Sequence, residues 1–404
     1  MTYEEAIEEL FKKHRSVSRD GFSNSAYKPG LEGMEALDNA LGHPSGKFRS
    51  IHVAGTNGKG SVCSMIAASL AGKGFRTGLY TSPHISDFRE RIRIIGEGLV
   101  SREYVLDFLE RNESPLEGRT FFEVTTAMAF DWFASRKVDF AVIETGLGGR
   151  LDSTNIITPE VSIVSSIGLD HCDILGHTRR EIAAEKAGIF KPGIPAVVGT
   201  RDEETGPVFI NAALGKHSKL FFADEEPLPD TTGMDLTGPH QGENLRTVLC
   251  ALKALGIEAD MDAIRHAGKT CALRARWETL RENPTVITDI GHNPAALREN
   301  FSRLSACGRP VSLVFGIMAD KALDDIAPLM PGNCRLYLAT PQTPRALDAE
   351  TLARRLSNLR PDLEIRFRGS VPEALGKVLE ESTEDSIIYI GGSTYVVAEV
   401  PDSF

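Results

Sequence analysis

Between Ile51 and Leu70 the chain reads IHVAGTNGKGSVCSMIAASL, an apolar run followed by Gly55, Gly58 and Gly60 with Lys59 among them. Glycines let a backbone approach an anion closely, the amides at the start of the next helix point positive charge at it, and a lysine adds a point charge. A strand before such a loop and a helix after it make it a triphosphate site rather than a plain turn. Thr56, Asn57, Gly58, Lys59, Gly60 and Ser61 are therefore candidate triphosphate-binding residues. The run is not G-x-x-x-x-G-K-[ST]. Val53 stands where the first glycine would be and Gly60 follows Lys59 directly, so a metal-ligating hydroxyl must come from Ser61 or another loop.

Phosphoryl transfer needs a divalent cation to neutralise charge on the phosphate oxygens, and hard oxygen ligands with an imidazole suit it. Glu144 ends the apolar run VDFAVIE, Ser82 follows the run at 77–80, and His171 lies just beyond VSIVSS. Ligands of open α/β sheets bind at the carboxyl ends of strands, where all three are expected. Each also has a plainer use: an edge carboxylate, a turn serine before Pro83, a structural histidine. Lys186, in EKAGIF on a helix, reads either as a functional lysine or as a surface ion-pair partner.

The elements that must position these residues follow from alternating patterns. Short β-rich runs at 50–53, 77–80, 140–144, 161–165 and 196–198 alternate with helical stretches, the signature of a doubly wound α/β domain. GPHQGENLRTVLCALKAL (238–255) begins with helix-breaking residues and continues with apolar positions at helical spacing, so it closes this first domain. A second alternation follows: TVITDI (285–290), a helix after Pro294, PVSLVFGI (310–317), a helix from Lys321, CRLYLAT (334–340), a helix from Ala349, EIRFRG, another helix, and SIIYIGG (386–392). That suffices for a small Rossmann-like domain. The division is placed within Lys269–Glu282, giving domains at 1–272 and 278–404.

Composition narrows the function. A chain of 404 residues is too long for one core, and 41% hydrophobic with 25% charged residues is ordinary for a globular protein. With 45 Lys+Arg against 56 Asp+Glu the formal charge is −11, the wrong sign for gripping nucleic acid. The six cysteines show no C-x-x-C pair, which argues against zinc and a disulfide framework. MTYEEAIEELFKKH reads as an acidic amphipathic helix, no run is long enough to cross a bilayer, and a cytoplasmic location with no membrane partner is expected.

GTNGKGS resembles the nucleotide loop of the folylpolyglutamate synthase/dihydrofolate synthase branch of the Mur ligase superfamily. YTSPH (80–84), IETGLGGRLDSTN (143–155), SIGLDH (166–171), EKAGIFKPG (185–193), GPHQGEN (238–244), DIGHNP (289–294) and PRAL (344–347) resemble that family's further blocks in the same order. The resemblance implies an N-terminal P-loop ATPase domain and a smaller C-terminal Rossmann-like domain. It implies an ATP-dependent ligase that activates a carboxylate as an acyl phosphate and joins it to L-glutamate, using dihydropteroate or a reduced folate.

Residue by residue, the resemblance makes Ser82, Glu144 and His171 ligands of two Mg2+ ions and Lys186 a site of N6-carboxylation. It puts Asn244, Arg276 and Asp289 at ATP. Ala26, Tyr27, Lys28 and Pro29, with Thr120, Leu151, Asp152 and Ser153, fall on the pterin side, and Asp152 is the natural acceptor for ring N–H donors. His292 and Arg345 arrange glutamate and the reacting groups, Arg345 through paired bonds to a carboxylate. Lys59, Lys186 and His292 form the catalytic set, and a monomer is expected. The chain departs from the family where LRARWE replaces a Pro-Gly-Arg-Phe-like turn, and at Pro29 and Gly33, where Leu and Arg are common. A Mur-type ligase for another carboxylate and a nucleotide-dependent switch protein are the competing functions.

Overall fold

The computed structural model describes residues 1–16 and 30–401, so the expectation at Ala26, Tyr27, Lys28 and Pro29 lies outside the described residues. The chain divides into two units, Met1–Leu273 and Arg274–Phe404.

In the first unit the strands are β1 (Arg49–Ala54), β2 (Thr77–Tyr80), β3 (Ile92–Ile94), β4 (Gly98–Leu99), β5 (Phe140–Glu144), β6 (Val161–Val164), β7 (Ala196–Val198) and β8 (Leu220–Phe222), in sheet order β4-β3-β2-β5-β1-β6-β7-β8. From β2 to β8 neighbours run parallel, and only β3 and β4 are antiparallel additions. Every residue of β2, β5, β6 and β7 is buried, as a sheet covered on both faces requires. The chain order turns around at β1, with β5 and β2 on one side and β6, β7 and β8 on the other. That reversal opens a crevice at the carboxyl ends of the central strands.

The helix Lys59–Gly72 follows β1 and is buried on all sides from Gly60 to Leu70. Its small and apolar residues allow this, because it packs on β1, β2 and β5 and is covered by the helices His240–Leu255, Met261–Arg265 and Ala267–Thr270. On the sheet's other face, the helix Phe121–Ser135 anchors a core that includes Phe108, Phe130 and Phe133. The N-terminal helix Tyr3–Lys13 has a full capping box, Thr2 with Glu5.

The second unit holds β9 (Glu278–Arg281), β10 (Thr285–Asp289), β11 (Val311–Phe315), β12 (Cys334–Thr340), β13 (Glu364–Ser370) and β14 (Ile387–Gly391), ordered β13-β12-β11-β14-β10-β9. All pairs are parallel except β9 with β10. The helices Pro294–Ala306, Ala349–Leu359 and Val371–Glu381 fall where the sequence pattern put them. The helix expected from Lys321 is a single turn, Leu323–Ile326, followed by the 3-10 turn Ala327–Leu329. Pro328 explains the difference, since it removes an N–H that a longer helix would use. Among the described residues no helix is long and apolar enough to cross a membrane.

Phe301 is fully buried between Phe315 and Tyr389 in the second unit. Phe301→Ala should destabilise the protein by about 3–5 kcal/mol, read from the midpoint of urea unfolding.

Candidate functional site

The loop after β1 is stapled to the segment after β6. Thr56 N donates to Ser166 O at 2.8 Å, Thr56 Oγ1 donates to Gly168 O at 3.1 Å, and Asn57 N donates to Ser166 Oγ at 3.2 Å. Ser165 Oγ and Ser166 Oγ both donate to Asn57 O, at 2.7 and 3.0 Å. Ser165 and Ser166 therefore shape the loop, a role the sequence reading missed by treating them as strand. The sequence held no signal for it: only the parallel pairing of β1 with β6 turns the polar residues after β6 toward the loop that leaves β1.

Gly58 caps the helix Lys59–Gly72 with φ +83°, and a Cβ there would lie 2.3 Å from Asn244 Oδ1. The Asn244 amide thus rests against the loop and donates to Gln241 Oε1 at 2.9 Å, while Gln241 Nε2 donates to Ser61 Oγ at 3.3 Å. Asn244 lies inside the helix His240–Leu255 and does not cap it.

Two lysines meet at one carbonyl. Lys59 Nζ donates to Gly55 O at 3.0 Å and to Thr56 O at 3.2 Å, and Lys186 Nζ, from the helix Arg179–Ala187, donates to Gly55 O at 2.9 Å. Lys186 is buried, and its removal from water with the nearby Lys59 charge brings its pKa down to about 7. Near neutrality a large share of Lys186 is a free amine.

Glu144 ends β5 and is buried, and Ser82 N donates to its Oε2 at 3.2 Å. A carboxylate beside a serine-bearing loop supplies the hard oxygen chemistry that a divalent cation needs. His171 follows β6 and takes φ +52° before the short helix Cys172–Leu175, an uncommon backbone state for a residue with a side chain.

The loop Gly146–Asn155 is built around Asp152. Its Oδ2 accepts from Gly146 N at 2.8 Å and Leu147 N at 2.7 Å, and its Oδ1 accepts from Thr154 N at 3.0 Å and Thr154 Oγ1 at 2.5 Å. These bonds use the carboxylate's acceptor positions. Asp152 thus shapes the loop that Leu151 and Ser153 flank. Thr154 Oγ1 also lies 2.8 Å from Nε2 of the fully buried His52, which burial holds neutral by lowering its pKa to about 3. Thr120 likewise caps the helix Phe121–Ser135, accepting from Glu123 N at 3.2 Å and donating to Glu123 Oε2 at 2.9 Å. The same loop closes the end of the Lys186 helix. Arg150 N donates to Glu185 O at 2.8 Å, and Asn155 Nδ2 bridges Arg150 O and Gly188 O at 3.0 and 3.1 Å.

In the second unit, Asp289 at the end of β10 accepts from Trp277 N at 2.9 Å, Gly291 N at 2.7 Å and Asn300 Nδ2 at 2.7 Å. Arg276 Nη1 donates to Arg274 O and Ala275 O, each at 3.2 Å. His292 Nδ1 lies 3.1 Å from Ile290 O, and Arg345 Nη2 donates to Asp320 Oδ1 at 3.0 Å.

Residues 53–261 match the family model of the Mur ligase middle domain, and residues 275–394 match that of the Mur ligase glutamate ligase domain. A dihydrofolate synthase/folylpolyglutamate synthase of Bacillus subtilis is 32% identical over 420 residues, covering 92% of this chain and 94% of the relative. The structure of Escherichia coli FolC in complex with DHPP and ADP is similar with a TM-score of 0.83 at 28% identity, covering 98% of this chain and 96% of that one. A bifunctional folylpolyglutamate synthase/dihydrofolate synthase with Mn, AMPPNP and L-glutamate bound gives a TM-score of 0.82 at 28% identity, covering 98% of this chain and 97% of that one.

Gly58→Ala should weaken binding of a non-hydrolysable ATP analogue at least about tenfold by calorimetry, because a side chain at this φ costs ~1–2 kcal/mol before any clash.

Proposed function

We propose, from the premise that this chain belongs to the Mur ligase family in its dihydrofolate synthase/folylpolyglutamate synthase branch, that it joins L-glutamate to the carboxylate of dihydropteroate and, secondarily, of a reduced folate. Membership makes it an ATP-dependent ligase. The observation that carries the reading is the convergence of Lys59 and Lys186 on Gly55 O inside a glycine loop at the carboxyl edge of a parallel sheet. The DHPP, ADP, AMPPNP and L-glutamate bound to the similar proteins support the substrate assignment.

A carboxylate oxygen of the pterin substrate attacks the γ-phosphorus of ATP, the bond to the bridging oxygen breaks, and ADP leaves an acyl phosphate behind. The neutral amine of glutamate then attacks the acyl carbon, its proton passes to solvent, and phosphate departs with the C–O bonding pair. Lys59 and the loop amides offset the charge that moves with the phosphoryl group. Glu144 and Ser82 would hold one divalent cation and His171 a second. Such cations neutralise phosphate oxygens during transfer. Thr56, Asn57, Gly60, Ser61 and Asn244 are assigned to ATP, as are Arg276 and Asp289 from the second unit, while His292 and Arg345 are assigned to glutamate. Ala26, Tyr27, Lys28, Pro29, Thr120, Leu151, Asp152 and Ser153 are assigned to the pterin side.

Lys186 is proposed to be N6-carboxylated. Its neutral amine adds to carbon dioxide and loses a proton, and the anionic product replaces a second cation next to Lys59. The low Lys186 pKa supports this, since only the free amine reacts.

Incubation with dihydropteroate, ATP, magnesium and glutamate should give dihydrofolate, ADP and phosphate by mass spectrometry. No glutamate adduct with dihydropteroate or a reduced folate, from enzyme that binds ATP normally, would sink the folate reading in favour of another carboxylate substrate. Lys59→Ala and Glu144→Ala should each lower kcat by about 100-fold or more with an unchanged melting temperature.

For Lys186, enzyme stripped of carbon dioxide should regain activity when it is restored. At fixed dissolved carbon dioxide, recovery should slow as pH falls through about 7, where the ammonium form takes over, and level off above it. Recovery that ignores pH, or a fully active Lys186→Ala variant, would reject the modification.

A further inference from the structure

Arg276 sits between two residues that hold an unfavourable backbone state. Ala275 has φ +53° and Trp277 has φ +54°, a region that side-chain-bearing residues leave unless held. Both are held. Ala275 N donates to Glu278 Oε2 at 2.7 Å, Ala275 O accepts from Ile290 N at 3.2 Å, and Trp277 N donates to Asp289 Oδ2 at 2.9 Å. The Asp289 carboxylate is itself fixed by Asn300, whose Nδ2 also donates to Tyr389 Oη at 3.0 Å.

The Trp277 side chain is clamped as well. The Arg303 guanidinium carbon stands 3.7 Å from the centroid of the indole ring, within the range of a strong cation–π contact, and the Tyr389 ring lies 6.1 Å away on a tilted plane. Arg303 Nη1 is buried and, among the described residues, has no hydrogen-bond acceptor. Half-burial lowers the Arg303 pKa, opposed by the Glu299 and Asp289 charges. A guanidinium with one nitrogen in that position needs another attractive surface, and the indole face is the one it meets.

We infer that the stack of Arg303 on Trp277 is a positioning element for Arg276, setting nucleotide affinity by holding the strained turn on which Arg276 stands. Arg303 acts through the turn and is assigned no contact with the nucleotide. The inference rests on the reading of Arg276 as an ATP-contacting residue.

The test uses the full chain with Arg276→Ala, Arg303→Met and the double variant, reading affinity for a non-hydrolysable ATP analogue by calorimetry together with kcat, KM for ATP and melting temperature. Arg303→Met should weaken the analogue roughly three- to tenfold and raise KM more than it lowers kcat, the scale of one cation–π contact. Arg303→Lys should keep part of the wild-type affinity. In the double variant, affinity should equal that of Arg276→Ala alone. Should Arg303→Met fold poorly, Trp277→Leu removes the ring face and should give the same non-additive pattern. Wild-type affinity in Arg303→Met beside weakened Arg276→Ala would overturn the positioning role, as would additive losses in the double variant. Wild-type affinity in Arg276→Ala would instead overturn the ATP role of Arg276, and the inference with it.

Discussion

One backbone carbonyl accepts from two lysine side chains, and much of the first unit is arranged to bring them there. Lys59 reaches Gly55 O from the first turn of the helix that follows the loop, and Lys186 reaches it across 131 residues of sequence. Two like charges in a water-poor setting repel strongly, and a single carbonyl dipole does not compensate them. Relief comes from an arriving phosphate, from loss of a proton at Lys186, or from conversion of Lys186 to an anion. Each links nucleotide chemistry to the state of one buried side chain. Lys186 keeps its place because the loop Gly146–Asn155 closes the end of its helix through Arg150 and Asn155.

The parallel strands were legible because strands buried on both faces are continuous apolar runs, and β2, β5, β7 and β12 occupy the expected ranges. The strands β4, β8 and β9 were not, since all three are sheet edges in which no residue is fully buried, and β3 belongs to the same antiparallel margin as β4. Glycines, lysines and strand-end polar residues announced a nucleotide site by type and spacing. Nothing in the spacing revealed that Ser165, Ser166 and Gln241 support that site, because they act through bonds that join distant segments.

Carboxylates were the hardest to read. Asp152 and Asp289 stand beside loops at the expected places, but each accepts backbone N–H bonds from its own neighbourhood. An aspartate that shapes a loop and one that meets a ligand look alike in sequence, because both follow a strand and precede a turn. What separates them is how many acceptor positions the fold already uses.

Gly149 joins these themes. A Cβ at this position would lie 2.8 Å from both Glu185 O and Lys186 O, so the loop and the helix touch backbone to backbone with no side chain between them. A methyl group there would have to push the lysine's helix away from the carbonyl it serves. Loop and helix therefore move as one body: side chains that face outward from the loop can change freely, whereas a change at Gly149 shifts the lysine behind it.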